Sequence, residues 1–440
     1  MQQYFFDLAD KLIGQLTGGE VLLAGYSGED SDFVRFNQSK IRQATNVRQR
    51  YITLDLIDGR RRAVGTVGLS GEKTTDSGRA GELLANLRSQ LPHVPEDPYL
   101  LYSTDVCSSS QVRDNLLPPR EQAVSAVLEA GKGRDLVGIY SAGGIFNGFA
   151  NSLGQRNWFA THSFCADWSF YHVADKAVKT TYAGFKWDAA AFARKVQMAA
   201  DKLAILARPA KSIQPGTYRV YFTPTALGDI IGLLYRGGFG IKSHRTNFTP
   251  LLKMIVEGAA LSPAVTLLEN TADGIAPNFE ADGFIKPDVV TMIEHGRHRD
   301  CLVCARSAKE YGLACNGANA AEAPVSADLA AGDLPGEEVL ARLDTGVYIS
   351  GVWYLNYSDR PGGRITGMTR FATLWVEGGK IVAPLNVMRF DETIYRALGE
   401  NLLGLTRERD FIPSAGTTGG RSTGSTRVPG ALIKDFTFTL

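Results

Sequence analysis

The amino-terminal part of the chain changes from a helical to a strand spacing of apolar residues. Phe5, Leu8 and Leu12 lie on one face of an amphipathic helix predicted over Gln2–Leu16. The segment after it alternates apolar and polar residues with the period of two that favours half-buried strands. The predicted strands are Glu20–Gly25, Asp32–Asn37, Ile41–Val47, Arg50–Ile57 and Arg62–Leu69. A second helix is predicted over Lys73–Leu91, so this part should form an antiparallel sheet packed by two helices.

A second run of strand signals lies between two further predicted helices, Pro118–Lys132 and Trp187–Leu206. The predicted strands are Leu136–Ala142, Phe146–Asn151, Asn157–Val173 and Lys179–Phe185. Because glycine is frequent in turns, Gly143 and Gly144 are predicted to separate the first two of these strands.

Strand signals also dominate the second half of the chain. The predicted strands are Thr217–Phe222, Val265–Glu269, Val289–His295, Arg342–Asn356, Gly367–Glu377, Lys380–Pro384 and Val428–Thr439. Helices are predicted over Ala226–Gly240 and Asp391–Leu405. The segment Ser212–Pro215 is the predicted boundary between an N-terminal α+β domain, residues 1–212, and a mainly β C-terminal domain, residues 213–440. Because no βαβ alternation is sustained, the predicted class is α+β with antiparallel sheets and packed helices.

Composition and charge exclude several classes of protein. The chain has 440 residues, 44% hydrophobic and 21% charged, which is typical of a globular protein with two domains. Its net charge of +1 gives no bulk attraction to nucleic acid or to a membrane surface. No segment is long and apolar enough to span a bilayer, and five irregularly spaced cysteines favour a reducing compartment. We therefore expect a cytoplasmic protein without a nucleic-acid or membrane partner.

One cysteine pair is a candidate zinc site. Cys301 and Cys304 have CxxC spacing, and His295 and His298 come just before them. Zinc takes such donors in tetrahedral sites. No second CxxC or HxxxH pair completes a four-ligand set, and Cys304 lies among apolar residues. Core packing of the cysteines is the favoured interpretation, while a ligand set of His295, His298 and Cys301 stays open.

Four landmarks occur in an order that is typical of one peptidase family. They are Phe36–Lys40 in the early strands, Asn151–Gly154, Ser307–Asn319, and Gly346–Gly379 with its run Trp-Val-Glu-Gly-Gly. Together they span nearly the whole chain and resemble the TldD/PmbA family, whose members have been described as modulators of DNA gyrase and as peptidases or peptidase subunits. The resemblance implies that the chain has this family's two-domain α+β fold.

The resemblance also implies which kind of member this chain is. TldD-like members hold a catalytic metal with an HExxxH helix and a cysteine near the C-terminus, whereas TldE/PmbA-like members lack these residues. On this chain the first histidine and the glutamate fall at Gly232 and Leu233, the second histidine at Gly237 and the cysteine at Ala415. None of these side chains can coordinate zinc, and Leu233 cannot act as a general base. The chain therefore resembles the TldE/PmbA type, without catalytic residues, metal or cofactor of its own.

Two loop segments are candidates for contact with a peptide or a partner. His244 and Arg245 follow the ligand-poor helix, and Asn356, Asp359 and Arg360 lie in a hairpin between two predicted strands. Asn and Arg side chains can form hydrogen bonds with a peptide main chain.

The resemblance implies a non-catalytic subunit that pairs with a TldD-like, metal-bearing subunit, and it also allows a homodimer. The pair would enclose a chamber in which unfolded peptides are hydrolysed at the partner's metal. Two alternatives stay open. One is a metallopeptidase with the unusual ligands His295, His298 and Cys301, and the other is a non-enzymatic regulator that binds a folded protein.

Overall fold

The first half of the chain forms one sheet flanked by helices, as described for residues 1–173 and 176–440 by a computed structural model. The helices are α1 (Gln2–Ile13), α2 (Lys73–Gln90), α3 (Arg120–Gly131) and α4 (Ala189–Leu206). The strands are β1 (Val21–Asn37), β2 (Lys40–Asp58), β3 (Arg61–Gly68), β4 (Ser109–Val112), β5 (Asp135–Asn151), β6 (Arg156–Val173) and β7 (Lys176–Gly184). Their order among the described residues is β3-β2-β1-β5-β6-β4, with β7 also paired to β6.

Helices α1 and α2 cover one face of this first sheet. Phe5 and Leu12 of α1 and Leu84 of α2 pack against Leu54 and Trp158 of the strands. This arrangement follows from the helical spacing of apolar residues in α1, because it turns them all toward one side. The predicted packing of two helices on an early antiparallel sheet is thus confirmed.

The second half of the chain forms a larger sheet with short helices. The helices are α5 (Pro224–Leu234), α6 (Ile241–Arg245), α7 (Leu252–Val256), α8 (Ala305–Tyr311) and α9 (Val339–Leu343). The strands are β8 (Gly216–Phe222), β9 (Leu267–Asn270), β10 (Val289–Glu294), β11 (Arg297–His298), β12 (Ser326–Leu329), β13 (Gly346–Asp359), β14 (Arg364–Glu377), β15 (Lys380–Pro384), β16 (Arg389–Thr393), β17 (Leu402–Pro413) and β18 (Ser425–Phe438). Strand β8 pairs with both β13 and β18, which closes β8, β13, β14, β16 and β18 into a ring.

The two halves share one apolar core. Phe192 and Leu206 of α4 pack in the same cluster as Tyr348, Leu374 and Leu432 of the second sheet. A shared core of this kind holds two domains in a fixed orientation, because separating them would expose apolar surface to water. The α+β class and its antiparallel sheets are confirmed, and the boundary at residues 212/213, which falls between α4 and β8, stays a prediction.

Three long strands replace predicted pairs of short ones. Strand β1 joins the two segments that were expected to end at Gly25 and to restart at Asp32, and β2 is likewise continuous. Strand β5 runs through Gly143 and Gly144 rather than turning there. The polar and glycine-rich residues within β1 and β5 mark contacts with another part of the chain, not turns.

Two helix predictions need correction. The prediction of one helix over Asp391–Leu405 is wrong, because β16 covers its start, β17 covers its end, and only a short helical segment that includes the π-helical turn Arg396–Glu400 lies between them. Pairing of these strands with β14 and β18 overrides the local helical spacing. Helix α5 ends at Leu234 instead of Gly240, and the backbone at Gly237 has a φ of 84°. No helix of the described residues is long and apolar enough to cross a membrane.

Candidate functional site

Helix α5 begins the candidate site, and its sequence explains its position. Thr223 caps it by accepting a hydrogen bond from the Ala226 amide at 3.3 Å, and Pro224 occupies its first turn. Leu227, Ile230 and most of the other α5 side chains are buried in the core of the second sheet. Asp229 is the one charged residue on this apolar helix and faces away from that core.

A cavity of about 350 Å³ lies beside α5, between the two halves of the chain. Asp167, Lys179 and Thr181 of the first sheet form one wall. Gly228, Asp229 and Tyr235 of α5 and its end form another. The end of β17 and the following loop complete it with Ile412, Pro413, Ser414 and Ala415. The volume lies in the range of small-molecule sites, roughly 300–1,000 Å³.

The lining of this cavity carries more negative than positive charge. Lys179 Nζ forms an ion pair with Asp167 at 3.3 Å, and the Thr181 hydroxyl donates to the same carboxylate at 2.8 Å. Asp229 lies near this pair but has no ion pair of its own among the described residues. Desolvation raises the pKa of its carboxyl to about 6, and the Lys179 charge and the Val352 backbone offset part of that rise. Its side chain is nevertheless reachable from the cavity. At neutral pH the cavity therefore carries one carboxylate that no lysine neutralises directly.

The cavity does not have the ligands that a catalytic zinc requires. Such sites use three protein donors drawn from His, Cys, Asp and Glu. The lining offers only Asp229 and Asp167, and Asp167 is already occupied by Lys179 and Thr181. Across residues 1–173 and 176–440, no group of three or more such side chains is placed to hold an ion. These residues do not fit a catalytic metal.

The four positions predicted from the resemblance do not converge. Ala415 lines the cavity, and the α5 residues that face it there are Gly228 and Asp229. Gly232 lies one helical turn further on, with no neighbour within 4 Å of where a Cβ would stand. Leu233 is buried in the core, and Gly237 lies beyond the helix. Ala415 thus shares the cavity with Gly228 and Asp229, whereas Gly232, Leu233 and Gly237 do not line it.

The predicted contact residues gather instead around the turn after α5. His244 Nε2 forms a hydrogen bond with the Gly238 carbonyl at 2.8 Å, and burial lowers the pKa of its imidazole. Arg360 donates to the Arg236 carbonyl at 2.9 Å and stacks on Phe248, with its guanidinium carbon 4.3 Å from the ring centre. His244 and Arg360 therefore fix this turn.

The other predicted contact residues are more exposed. The Asn356 and Asp359 side chains accept hydrogen bonds from backbone amides of their own hairpin, at 2.9 and 3.1 Å. Arg245 is exposed at the end of α6. These three are the members of the set that a partner could reach without disturbing the fold.

The alternative zinc ligands are also separated. His295 occupies the exposed turn between β10 and β11, with its Nδ1 3.4 Å from the Pro263 carbonyl oxygen. His298 packs on His244 instead, with ring centres 5.1 Å apart. Burial raises the pKa of the Cys301 thiol to about 11, which disfavours the thiolate that zinc binds.

A half-buried arginine, Arg421, holds the loop that forms one wall of the cavity. Arg421 lies between β17 and β18, and its guanidinium reaches into the first sheet. Nη1 donates to the Gly143 carbonyl at 3.1 Å and to the Ser31 hydroxyl at 3.3 Å. Nη2 donates to the Ser163 carbonyl and hydroxyl at 2.9 and 2.6 Å. Glu29 accepts from the Arg421 amide at 3.2 Å, so side chain and backbone of Arg421 are both anchored.

Sequence reasoning missed the residues that give the cavity its charge. Asp167 and Lys179 lie on neighbouring strands, which only the pairing of β6 with β7 brings together. Asp229 is the single acid in the stretch Ala226–Gly240. A lone carboxylate on an otherwise apolar helix was the signal that could have identified it.

The two sheets and their helices define a two-domain α+β protein. Residues 215–440 match the family described as PmbA/TldA metallopeptidase C-terminal domain. This match covers more than half of the chain, and the chain belongs to the PmbA/TldD family. No curated protein matches the chain in sequence.

Solved structures share the fold across almost the whole chain. TldE from Thermococcus kodakarensis has a TM-score of 0.76 at 14% identity and covers 100% of both chains. A candidate modulator of a DNA gyrase from Thermotoga maritima has a TM-score of 0.76 at 15% identity, with 99% of this chain and 100% of that chain covered. A candidate modulator of DNA gyrase from Bacteroides thetaiotaomicron has a TM-score of 0.74 at 13% identity, covering 99% and 98%. At these identities the similarity shows the fold alone.

Proposed function

We propose that the chain is a non-catalytic, TldE/PmbA-type subunit of a two-subunit metallopeptidase that acts on unfolded peptides. The observation that carries the proposal is the lining of the cavity beside α5, where Gly228, Asp229 and Ala415 meet without a histidine or cysteine. A metal-activated water then has to come from a TldD-type partner. This chain contributes shape and binding surface to the common chamber.

The strands β6, β7 and β17 that wall the cavity support a peptide as the substrate. An extended peptide is bound chiefly through its main chain, so a chamber built from strands can accept many sequences. Exposed residues near α5, such as Arg245, Asn356 and Asp359, are available for contact with a partner or a peptide. A homodimer and a cytoplasmic location belong to the same proposal.

Metal analysis of the isolated chain tests the proposal. After incubation with zinc and removal of free metal, we expect far less than one zinc per chain, because the cavity offers one free carboxylate. The variants His295→Ala and His298→Ala serve as controls and should leave the metal content unchanged. One tightly held zinc per chain that is lost in the His295→Ala variant would instead establish the alternative ligand set.

A further inference from the structure

The cavity beside α5 retains one unneutralised charge and several apolar atoms. Asp229 lies at its α5 wall, while Ile412, Pro413 and Ala415 present an apolar surface opposite. Lys179 is the one lysine that the described residues contribute to the lining, and it forms an ion pair with Asp167. A cavity with a net charge of about −1 and an apolar wall fits a small cation that carries a hydrocarbon part.

We propose that this cavity binds a primary ammonium group of a peptide, with the Asp229 carboxylate as its acceptor. The ammonium comes from a peptide amino terminus or from a lysine side chain, and the attached carbon atoms pack on Ile412 and Pro413. An ammonium has three N–H donors, and the hydroxyl oxygens of Thr225 and Ser414 in the lining can accept beside Asp229. Only the peptide nature of this ligand rests on the proposed function.

The charges and oxygen acceptors of the cavity lining favour an ammonium over other ions. A carboxylate or phosphate would meet Asp229 and be repelled, because Lys179 is already paired. A divalent cation such as Ca²⁺ requires six or more oxygen ligands, several of them charged, and the lining supplies one free carboxylate. A monovalent organic cation needs one charge and a few acceptors.

Binding of this kind should depend on pH. The carboxyl of Asp229 has a pKa raised to about 6 by desolvation, so it loses its charge as the pH falls below that value. The other titratable groups that line the cavity are Asp167 and Lys179, which stabilise each other, and Tyr235, whose pKa is raised by burial. Affinity for an ammonium should therefore fall at pH 5, where the Asp229 carboxyl is largely uncharged.

Calorimetry with the full chain and trialanine amide, which has a free α-ammonium, tests the proposal. Asp229→Asn should weaken binding by roughly tenfold to 100-fold, because it removes the charge and keeps the shape. Asp201→Asn, at an exposed aspartate on α4, is the matched control and should bind like the natural chain. Thermal unfolding of both variants checks that they fold.

Two further probes distinguish the sources of the ammonium. Acetyl-trialanine amide lacks an ammonium and should not bind. Lysine amide acetylated on its α-nitrogen keeps only the side-chain ammonium, so it binds only if the cavity accepts a lysine side chain. The proposal is overturned if neither ammonium probe binds the natural chain, if the acetylated tripeptide binds equally well, or if Asp229→Asn leaves affinity unchanged. If no ammonium binds but the chain supports peptide hydrolysis with a TldD-type partner, only the ammonium site is refuted. If an ammonium binds but no hydrolysis occurs with that partner, only the proposed function is refuted.

Discussion

Replacing Arg421 by alanine should release the loop between β17 and β18 and destabilise the first sheet. The substitution removes four hydrogen bonds from the guanidinium to Ser31, Gly143 and Ser163. Hydrogen bonds to a charged group contribute about 1.5–3 kcal/mol each at most, and release of the loop returns part of that as entropy. We expect a loss of about 2–4 kcal/mol in the free energy of unfolding.

Amide hydrogen exchange measures this release directly. The amide at position 421, which donates to Glu29 at 3.2 Å, and the Ser414 amide, which donates to the Gly424 carbonyl at 2.8 Å, should exchange much faster in Arg421→Ala, because the guanidinium no longer anchors this loop. Arg421→Lys should be intermediate, since lysine keeps the charge but cannot reach acceptors in two directions. Arg79→Ala, at an exposed arginine of α2, is the matched control. Unchanged exchange in Arg421→Ala would show that the loop is held by other contacts.

Replacing Gly143 by alanine should have a comparable or larger effect. Gly143 has a φ of 149°, and a Cβ there would meet the Asp30 carbonyl oxygen and lie 2.6 Å from the Ser31 Cα. Both neighbours are backbone atoms of β1, so relief requires the two strands to separate. Strain and strand displacement together should cost at least about 3 kcal/mol.

The matched control for this prediction is Gly78→Ala. Gly78 lies within α2, and no atom lies within 4 Å of the position that an alanine Cβ would occupy. Alanine at this position should therefore stabilise the chain by about 0.5–1 kcal/mol. Thermal or denaturant unfolding of both variants gives the comparison. Because the Gly143 carbonyl accepts from Arg421, the double variant with Arg421→Ala should lose less than the sum of the single losses. A fully stable Gly143→Ala protein would contradict the close approach of β5 to β1.

The relation of Gly143 and Arg421 also shows why local reasoning misplaced strand ends. A glycine pair is most often a turn signal, and so is the polar run between Gly25 and Asp32. Both lie inside strands, because Gly143 allows β5 to approach β1 and because Ser31 accepts a hydrogen bond from Arg421, 390 residues later in the chain. No local pattern reports a partner that far away.

Patterns with strong periodicity were predicted well. The strand Lys380–Pro384 and the start of helix α2 at Lys73 agree with the structure, since both depend on local alternation or capping. The segment Asp391–Leu405 was predicted as one helix because its apolar spacing fits a helix, whereas pairing with β14 and β18 imposes strands on its two ends. The shared core formed by α4 and the second sheet could not be predicted from either segment alone.

For the candidate site, too, the residue types could be predicted locally, whereas their arrangement depends on distant segments. The absence of histidine and cysteine from helix α5 was visible from residue types alone, whereas the cavity combines Asp167, Asp229 and Ala415 from three distant segments. The helix positions that face Ala415 are Gly228 and Asp229, one turn earlier than the resemblance placed them. The lack of a metal-binding set could therefore be predicted from residue types, but the shape and lining of the cavity could be known only from the fold.

Peptide hydrolysis by defined mixtures tests the central claim most directly. The purified chain and a TldD-type subunit are incubated separately and together with an unfolded, fluorescently labelled casein and zinc. We predict that this chain alone releases no peptides, and that hydrolysis in the mixture is abolished by a chelator. Chelator-sensitive hydrolysis by this chain alone would contradict the claim that its own residues cannot hold a catalytic metal.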